Sequence, residues 1–175
     1  MLLLAIMGSR REALLRPLVR ALASRGYRVA TVSQVRRLGV PEELREHADA
    51  GAGIRIACSR DKVLISSNFP LRDLDDFVKV VSHLAPVEPD AILFMGFEEE
   101  LAGEGRLMKV VVTFSPSEAR GLMEKLSPPV IGAYSERGTL EGGFPSIDSL
   151  VRAIMEEGIR RRLLQPSPAR LGGEG

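Results

Sequence analysis

The chain has 175 residues, of which 45% are hydrophobic and 27% charged, as is ordinary for one globular domain with a substantial core. Its net charge of +1 gives no global attraction to nucleic acid or membranes, so neither is expected as a partner. The single cysteine, Cys58, excludes an intramolecular disulfide and indicates a reducing compartment. The longest apolar run is too short for a membrane span or a signal peptide, so we expect a cytoplasmic protein.

Short β-type runs alternate with helix-type segments, which predicts an α/β fold with a largely parallel sheet. We expect strands over Leu2–Met7, Tyr27–Val32, Ile54–Cys58, Val63–Ser66, Ala91–Met95, Leu107–Thr113 and Val130–Tyr134. Helices are expected after Gly8 and over Glu42–Asp49, Leu74–Leu84, Ser117–Leu126 and Ser146–Glu157. The third and fourth strands are joined by four residues, which indicates an antiparallel hairpin.

Residues 1–158 are predicted to form a single domain, because no repeat or linker divides them. Residues 159–175 begin with Arg160-Arg161-Arg162, which we interpret as a solvated basic helix end. From Gln165 to Gly175 the chain contains Pro, Ser and Gly with little to bury, so we predict a disordered tail.

The turn after the first strand has the spacing of a nucleotide-binding phosphate loop but lacks its chemical groups. Such a loop reads G-x-x-x-x-G-K-[ST] between a strand and a helix. Counted from Gly8, the second glycine, the lysine and the hydroxyl residue are replaced by Ala13, Leu14 and Leu15. A leucine neither neutralises phosphate charge nor ligates Mg²⁺, so we expect no ordinary hydrolysis of a nucleoside triphosphate and no catalytic residue.

Two starts are compatible with the helix that follows this turn. Ser9 and Glu12 match a capping box, which would begin the helix at Arg10 and place Pro17 in its interior at a cost of about 3 kcal/mol. A start near Ala13 brings Pro17 closer to the first turn, where its missing N–H matters less, and we favour this start.

The later start leaves Gly8–Glu12 as a loop that carries two arginines. Arg10 and Arg11 are interpreted either as solvated side chains or as groups that attract GTP or a phosphate-like anion. The residues predicted to form this degenerate phosphate site are Gly8, Ser9, Arg10, Arg11, Ala13, Leu14 and Leu15.

Three further segments carry a resemblance to a known family. Residues 25–32 resemble that family's second strand, residues 45–52 its R-x-x-x-x-A-G-A segment, and residues 90–97 its D-x-x-[LI]-x-E-G-F strand end. The family is MobB, the adaptors of molybdopterin-guanine dinucleotide biosynthesis, and the resemblance covers residues 2–157. It implies a P-loop-NTPase-like, three-layer α/β fold with a mostly parallel sheet and a short antiparallel hairpin.

Members of that family bind GTP, form homodimers and assist the partner that attaches GMP to molybdopterin. The resemblance therefore implies a homodimer, molybdenum-cofactor biosynthesis proteins as partners, and GTP or a phosphate-like anion as the ligand. It also implies that the hairpin helps to build the dimer, although a self-contained hairpin is compatible with the sequence.

The departures from that family concern the groups that handle charge. Of the phosphate loop only Gly8 is retained, the glutamate before Gly-Phe is Met95, and the histidine-rich stretch is replaced by Ser33-Gln34-Val35-Arg36-Arg37. We therefore expect a noncatalytic accessory or adaptor protein that resembles MobB. Two other functions stay open: a GTP-binding protein or weak GTPase in which Arg10 or Arg11 replaces the lysine, and a binding module of an unrelated pathway.

The other residues with chemical potential have simpler interpretations. His47 and His83 have no neighbours with metal-ligand spacing, so we predict no metal site. Cys58 is predicted to be a small buried apolar residue, and Glu98-Glu99-Glu100 a solvated acidic turn.

Overall fold

The computed structural model of the chain describes residues 1–35, 39, 41–60, 62–67 and 73–165. Its elements are β1 (Leu2–Met7), α1 (Glu12–Ala23), β2 (Val29–Ser33), α2 (Glu42–Asp49), β3 (Ile54–Cys58), β4 (Val63–Ser67), α3 (Leu74–Leu84), β5 (Ala91–Met95), α4 (Glu98–Leu101), β6 (Met108–Thr113), α5 (Pro116–Met123), β7 (Val130–Ser135) and α6 (Ile147–Arg160). No helix in these ranges is long and apolar enough to cross a membrane.

The chain divides into two compact units. The first comprises Met1–Gln34 and the chain from Asp73 onward, and the second is Val35–Arg72. Residues 36 and 37 lie outside the described residues. Residues 166–175, which are all of the predicted disordered tail except Gln165, also lie outside them. Helix α6 continues beyond the predicted boundary at residue 158, and Leu164 is still buried against the core.

The first unit is built on a five-stranded parallel sheet with the order β2-β5-β1-β6-β7. β1 lies in its centre and reads as a continuous apolar run because both faces of a parallel sheet are covered. Leu2, Leu4 and Ile6 face one hydrophobic cluster, whereas Ala5 and Met7 face another. This alternation follows from the period of two in a strand.

Helices cover both faces of that sheet. α1 and α6 contribute buried residues to the cluster on the first face, and α3 and α4 to the cluster on the second. α5 packs on Val111 and Ala133 through Ala119. The predicted three-layer α/β fold with a mostly parallel sheet is confirmed.

Most element bounds agree with the sequence prediction to within three residues, and the differences have local causes. β2 begins at Val29 instead of Tyr27 because Tyr27 still closes the end of α1, donating its N–H to the carbonyl of Leu22. Gly26, with φ +80°, supplies the left-handed residue that this helix end requires. The spacing of the apolar residues in the predicted helix Leu74–Leu84 places Leu84 on its inward face, but at the last position of α3 it is exposed.

The short helix α4 was not predicted. Phe97 and Leu101 are separated by one helical turn and are both buried, so the intervening glutamates form a single turn of helix above them. Phe97 also completes a cluster of edge-to-face rings with Phe77 and Phe94, at centroid distances of 4.8 and 6.3 Å. Glu99 and Glu100 are exposed, as the sequence interpretation expected, whereas Glu98 is half-buried.

In the second unit β3 and β4 form a two-stranded antiparallel sheet of their own, as the predicted hairpin. One face of this hairpin presents Ile54, Ile56, Val63 and Ile65, which are all exposed. Cys58 lies beside Val63 on the same face and is exposed, so the prediction of a buried cysteine is wrong. The reason is that the alternation of β3 directs Arg55, and not Cys58, to its buried face.

Candidate functional site

The candidate site lies where the parallel strands of the first unit end. β1 is followed by α1 on one face of the sheet and β5 by α4 on the opposite face. A crevice therefore opens between the carboxyl ends of β1 and β5, which is where open α/β sheets bind ligands. The β1–α1 loop, Gly8–Arg11, forms one side of this crevice.

Gly8 is required by the path of this loop. Its φ is +101°, in the left-handed region that favours glycine. A Cβ at this position would lie 2.4 Å from the carbonyl oxygen of Val112 in β6, which is too close for any side chain. The glycine retained from the phosphate-loop spacing is thus retained for a structural reason.

The first two amides of the loop are bound by carboxylates of the same chain. The N–H of Gly8 donates to Oε1 of Glu98 at 3.1 Å, and the N–H of Ser9 donates to Oε1 of Glu118 at 3.1 Å. The hydroxyl of Ser9 donates to Oε2 of Glu118 at 2.8 Å. A phosphate loop directs such amides at a bound anion, whereas here the anions are side chains.

Several of the amides that follow, in the loop and at the start of α1, are directed at backbone carbonyls. The N–H of Arg10 donates to Val112 at 3.0 Å, and that of Ala13 to Arg10 at 2.9 Å. The N–H of Leu14 donates to the carbonyl of Arg11 at 3.2 Å, already as part of the helix start. These donors are engaged inside the fold and do not point into a common cradle.

Both loop arginines have internal carboxylate partners. Arg10 forms an ion pair with Glu136, which directly follows β7, with Nη2 donating to Oε1 at 3.1 Å. Nη1 of Arg11 lies 3.7 Å from Oε1 of Glu98 and also donates to the carbonyl of Gly8 at 3.4 Å. Neither guanidinium is aimed at an open anion position.

Helix α1 begins at Glu12, between the two predicted starts and nearer to the later one. The predicted capping box does not form, because the hydroxyl of Ser9 binds Glu118 and the N-cap residue is Arg11, without a side-chain cap. Pro17 lies inside the helix and not in its first turn, so the reasoning that placed it near the start is wrong.

The three replaced positions of the phosphate-loop spacing lie on α1 and not in the loop. Leu14 is fully buried in the hydrophobic cluster, Leu15 is half-buried against it, and Ala13 is exposed. The loop thus brings together Gly8, Ser9, Arg10 and Arg11, whereas Ala13, Leu14 and Leu15 belong to the helix.

Three glutamates complete this edge of the sheet, and the sequence interpretation assigned a role to none of them. Glu98 follows β5, Glu118 lies in the first turn of α5 after β6, and Glu136 follows β7. Their common signal is a position just after a parallel strand, where side chains meet at one edge. Two arginines and three carboxylates are thus in contact around the loop.

Met95, Gly96 and Gln34 border the crevice on the β2 side. Met95 is buried in the core, at the position where the resemblance places a glutamate. Gly96 has φ +81°, and a Cβ there would lie 3.4 Å from the guanidinium of Arg11. Gln34 donates its backbone N–H to Met95 and its side-chain amide to Glu100 at 2.9 Å.

The other residues considered from the sequence lie away from this edge or have local roles. His83 is exposed near the end of α3, with Nδ1 2.7 Å from the carbonyl of Lys79. His47 is exposed in α2. Within the described ranges no three His, Cys, Asp or Glu side chains are placed to hold a metal ion.

No protein-family model matches this sequence, and no curated protein matches it. Solved structures do match. A structure of molybdopterin-guanine biosynthesis protein B (MobB) is 19% identical with a TM-score of 0.61, and covers 89% of this chain and 98% of its own. A MobB homolog from Bacillus stearothermophilus is 21% identical with a TM-score of 0.62, at 90% and 98% coverage.

A third structure, MobB of Bacillus subtilis, is 16% identical with a TM-score of 0.59, and covers 94% of this chain and 98% of its own. The chain therefore has the fold of these MobB structures over nearly their whole length. The resemblance inferred from the sequence is confirmed at the level of the fold.

Proposed function

We propose that this chain is a noncatalytic accessory or adaptor protein of the MobB type, which acts in molybdenum-cofactor biosynthesis by binding a partner. The fold that it shares with the MobB structures supports the pathway. The degenerate phosphate site supports the noncatalytic role, and one observation carries that part of the proposal.

That observation is the burial of Leu14, which stands where a phosphate loop has its lysine. Leu14 has 0% exposure and packs with Leu18 and Leu22 in the main hydrophobic cluster. An ammonium group at this position would lie in the core, where burial of an unpaired charge is costly, and not beside a phosphate. Leu15, next along the helix, provides no hydroxyl for Mg²⁺.

The two arginines give little support to the alternative of an atypical GTPase. Arg10 and Arg11 would each have to leave an internal carboxylate before neutralising the β- and γ-phosphates. Phosphate would also approach the carboxylates of Glu98, Glu118 and Glu136, against electrostatic repulsion.

The proposal includes a homodimer that forms through the exposed apolar face of the hairpin, Ile54, Ile56, Val63 and Ile65. Their exposed fractions range from 40% to 65%, and contiguous exposed apolar side chains are typical of interaction sites. Arg55 and Ser66 occupy the opposite face, where Nη2 of Arg55 donates to Oγ of Ser66 at 2.9 Å. Leu64 is also exposed on that opposite face, at 37%, so we assign the second chain to the face with four exposed apolar side chains.

Calorimetric titration with GTP and with ATP, each with Mg²⁺ and up to millimolar nucleotide, tests the noncatalytic role. We expect no saturable heat from either nucleotide and no release of phosphate. Micromolar binding of GTP, or turnover above the rate in buffer, would contradict the proposal.

Copurification tests the pathway. A tagged full-length chain should retain proteins of molybdenum-cofactor biosynthesis from its native extract. A matched preparation of the Ile56→Asp variant shows whether the hairpin face takes part. If neither preparation retains such a protein while the chain is folded, the fold is serving another pathway.

A further inference from the structure

Two glutamates accept the hydrogen bonds that the N–H groups of the β1–α1 loop donate, as a bound anion would. We propose that Glu98 and Glu118 are internal anions that fill the open amides of this loop and so exclude phosphate from it. This inference rests on the proposed noncatalytic function and adds its physical cause. It makes the two glutamates specificity-determining residues.

Glu98 fills the position at the crevice between β1 and β5. One of its carboxylate oxygens, Oε1, accepts the N–H of Gly8 at 3.1 Å and lies 3.7 Å from Nη1 of Arg11. An amide and a guanidinium on one oxygen are the combination that phosphate oxygens take in proteins. The side chain is 31% exposed, so the contact is partly shielded from water.

Glu118 fills the second position with both of its oxygens. Oε1 accepts the N–H of Ser9, and Oε2 accepts the hydroxyl of Ser9 and, at 3.3 Å, the N–H of Phe114. The carboxylate thereby joins the β1–α1 loop to the residue that follows β6. A phosphate that enters here must displace three hydrogen bonds, two of them from one residue.

The two carboxylates bind amides that the backbone carbonyls do not. The N–H groups of Arg10, Ala13 and Leu14 already bind carbonyl oxygens within the fold. The amides of Gly8 and Ser9, by contrast, each donate to a glutamate carboxylate. An anion gains little by replacing one negatively charged acceptor with another.

The test removes both carboxylates and measures the binding of inorganic pyrophosphate by calorimetry. The Glu98→Ala/Glu118→Ala variant should bind pyrophosphate about tenfold or more tightly than the wild type, because two amides and Arg11 become available as charge-assisted donors. The matched control is Glu99→Ala/Glu124→Ala. It removes the same charge from two exposed positions, for which the described residues show no hydrogen bond or ion pair to the loop.

A second readout locates the binding. In ¹H–¹⁵N spectra, pyrophosphate should move the amide signals of Gly8 and Ser9 in the alanine variant and leave them unmoved in the wild type and in the control. Movement elsewhere without movement of these two signals would overturn the proposal.

The Glu98→Gln/Glu118→Gln variant separates occupancy from bulk charge. Its amide oxygens still accept the loop N–H groups, so its gain in affinity should be smaller than that of the alanine variant. Equal gains in the alanine, glutamine and control variants would mean that net charge alone repels the anion, and would overturn the proposal. Should the alanine variant not fold, the nearly isosteric glutamine variant carries the test against the control.

The outcomes distinguish this inference from the function on which it rests. Tight GTP binding by the wild type would defeat the proposed function and, with it, this inference. A folded alanine variant that binds pyrophosphate no better than the control, beside a silent wild type, would defeat only the role of the two glutamates.

Discussion

The β1–α1 loop and the hairpin β3–β4 differ in whether their surface groups already have partners within the chain. The loop carries polar groups at the edge where a sheet of this kind binds ligands, yet its amides and arginines already have partners in the chain. The hairpin carries an apolar face whose members are exposed by 40% to 65%. The loop belongs to the first unit of the chain and the hairpin to the second.

The difference indicates where binding free energy is still available. A ligand at the loop exchanges internal hydrogen bonds for its own, and such an exchange contributes little. Full burial of an isoleucine or valine contributes about 1.5–3 kcal/mol, so side chains exposed by 40% to 65% would contribute roughly half of that each. The chain therefore offers more to a protein partner at the hairpin than to a small anion at the loop.

The largest expected effect tests whether position 14, where a phosphate loop has its lysine, excludes a charged side chain. Leu14→Lys should destabilise the chain by at least about 3 kcal/mol, since removal of a buried leucine side chain alone costs 2–5 kcal/mol and the ammonium adds an unpaired charge. Urea denaturation measures the change. Leu15→Lys is the control, because Leu15 is only half-buried and its lysine can reach water. A Leu14→Lys variant as stable as the wild type would mean that a lysine at position 14 can reach solvent or the loop.

The next effect tests whether the loop has a fixed shape. Gly8→Ala should cost about 2–3 kcal/mol, because alanine at φ +101° is strained and its Cβ meets the carbonyl of Val112. Gly103→Ala is the control, in an exposed turn where an added Cβ meets nothing within 4 Å. Equal stability of the two variants, by thermal unfolding, would show that the loop adapts freely and that its internal pairs are not fixed.

The parts of the fold that follow from local patterns were predictable from the sequence. β1, α2, β3, α3 and β5 have the predicted bounds, because their apolar periodicity and flanking Pro and Gly residues act over a few positions. α4 was missed because a single turn of helix with three glutamates has no periodicity to read. The exposed face of the hairpin was not predicted, because alternation alone does not say which face is covered.

The chemistry of the candidate site was predictable only in part. The loss of the lysine and hydroxyl positions is visible in the sequence, whereas the partners of the loop are not. Gly8 and Glu98 are 90 residues apart, and Ser9 and Glu118 are 109 apart, so only the order of the strands brings them together. The burial of Lys109 was likewise not visible in the sequence, because a lysine normally indicates an exposed position. It is fully buried in β6, and burial lowers its pKa.

At the hairpin we expect a change in assembly with little change in the stability of the monomer. Ile56→Asp should convert a dimer into a monomer in light scattering after size exclusion, and remove the dependence of Tm on protein concentration. Its effect on the free energy of unfolding of the monomer should stay within about 0.5 kcal/mol, as is usual for an exposed site. Val87→Asp, at an equally exposed valine of the first unit, is the control. A wild type that is monomeric at all concentrations would remove the proposed role of this face.

The smallest expected effect provides a reference for a carboxylate that binds Arg106, through its guanidinium and its backbone N–H, and not the loop. Hydrogen bonds from Arg106 lower the pKa of Glu104 to about 2, from an ordinary value of 4.5. Because the pKa is lower in the folded chain, this stabilisation is complete above pH 4.5 and is lost as the pH falls toward 2. Glu104→Gln should therefore reduce the acid sensitivity of unfolding in that window.

Glu157 has its pKa lowered to about 2 by Arg160 and Arg161 and retains that acid sensitivity in both proteins, so the difference between them isolates Glu104. Arg106 is 58% exposed, so salt should screen the difference, which we expect to stay below about 1 kcal/mol. Glu104→Gln should leave pyrophosphate binding at its wild-type level, unlike the loss of Glu98 and Glu118. If Glu104→Gln raised the affinity for pyrophosphate as strongly as the loss of Glu98 and Glu118 does, the loop carboxylates would be acting only through net charge. The contrast between a loop whose groups are paired within the chain and a hairpin whose apolar face is exposed would then fail.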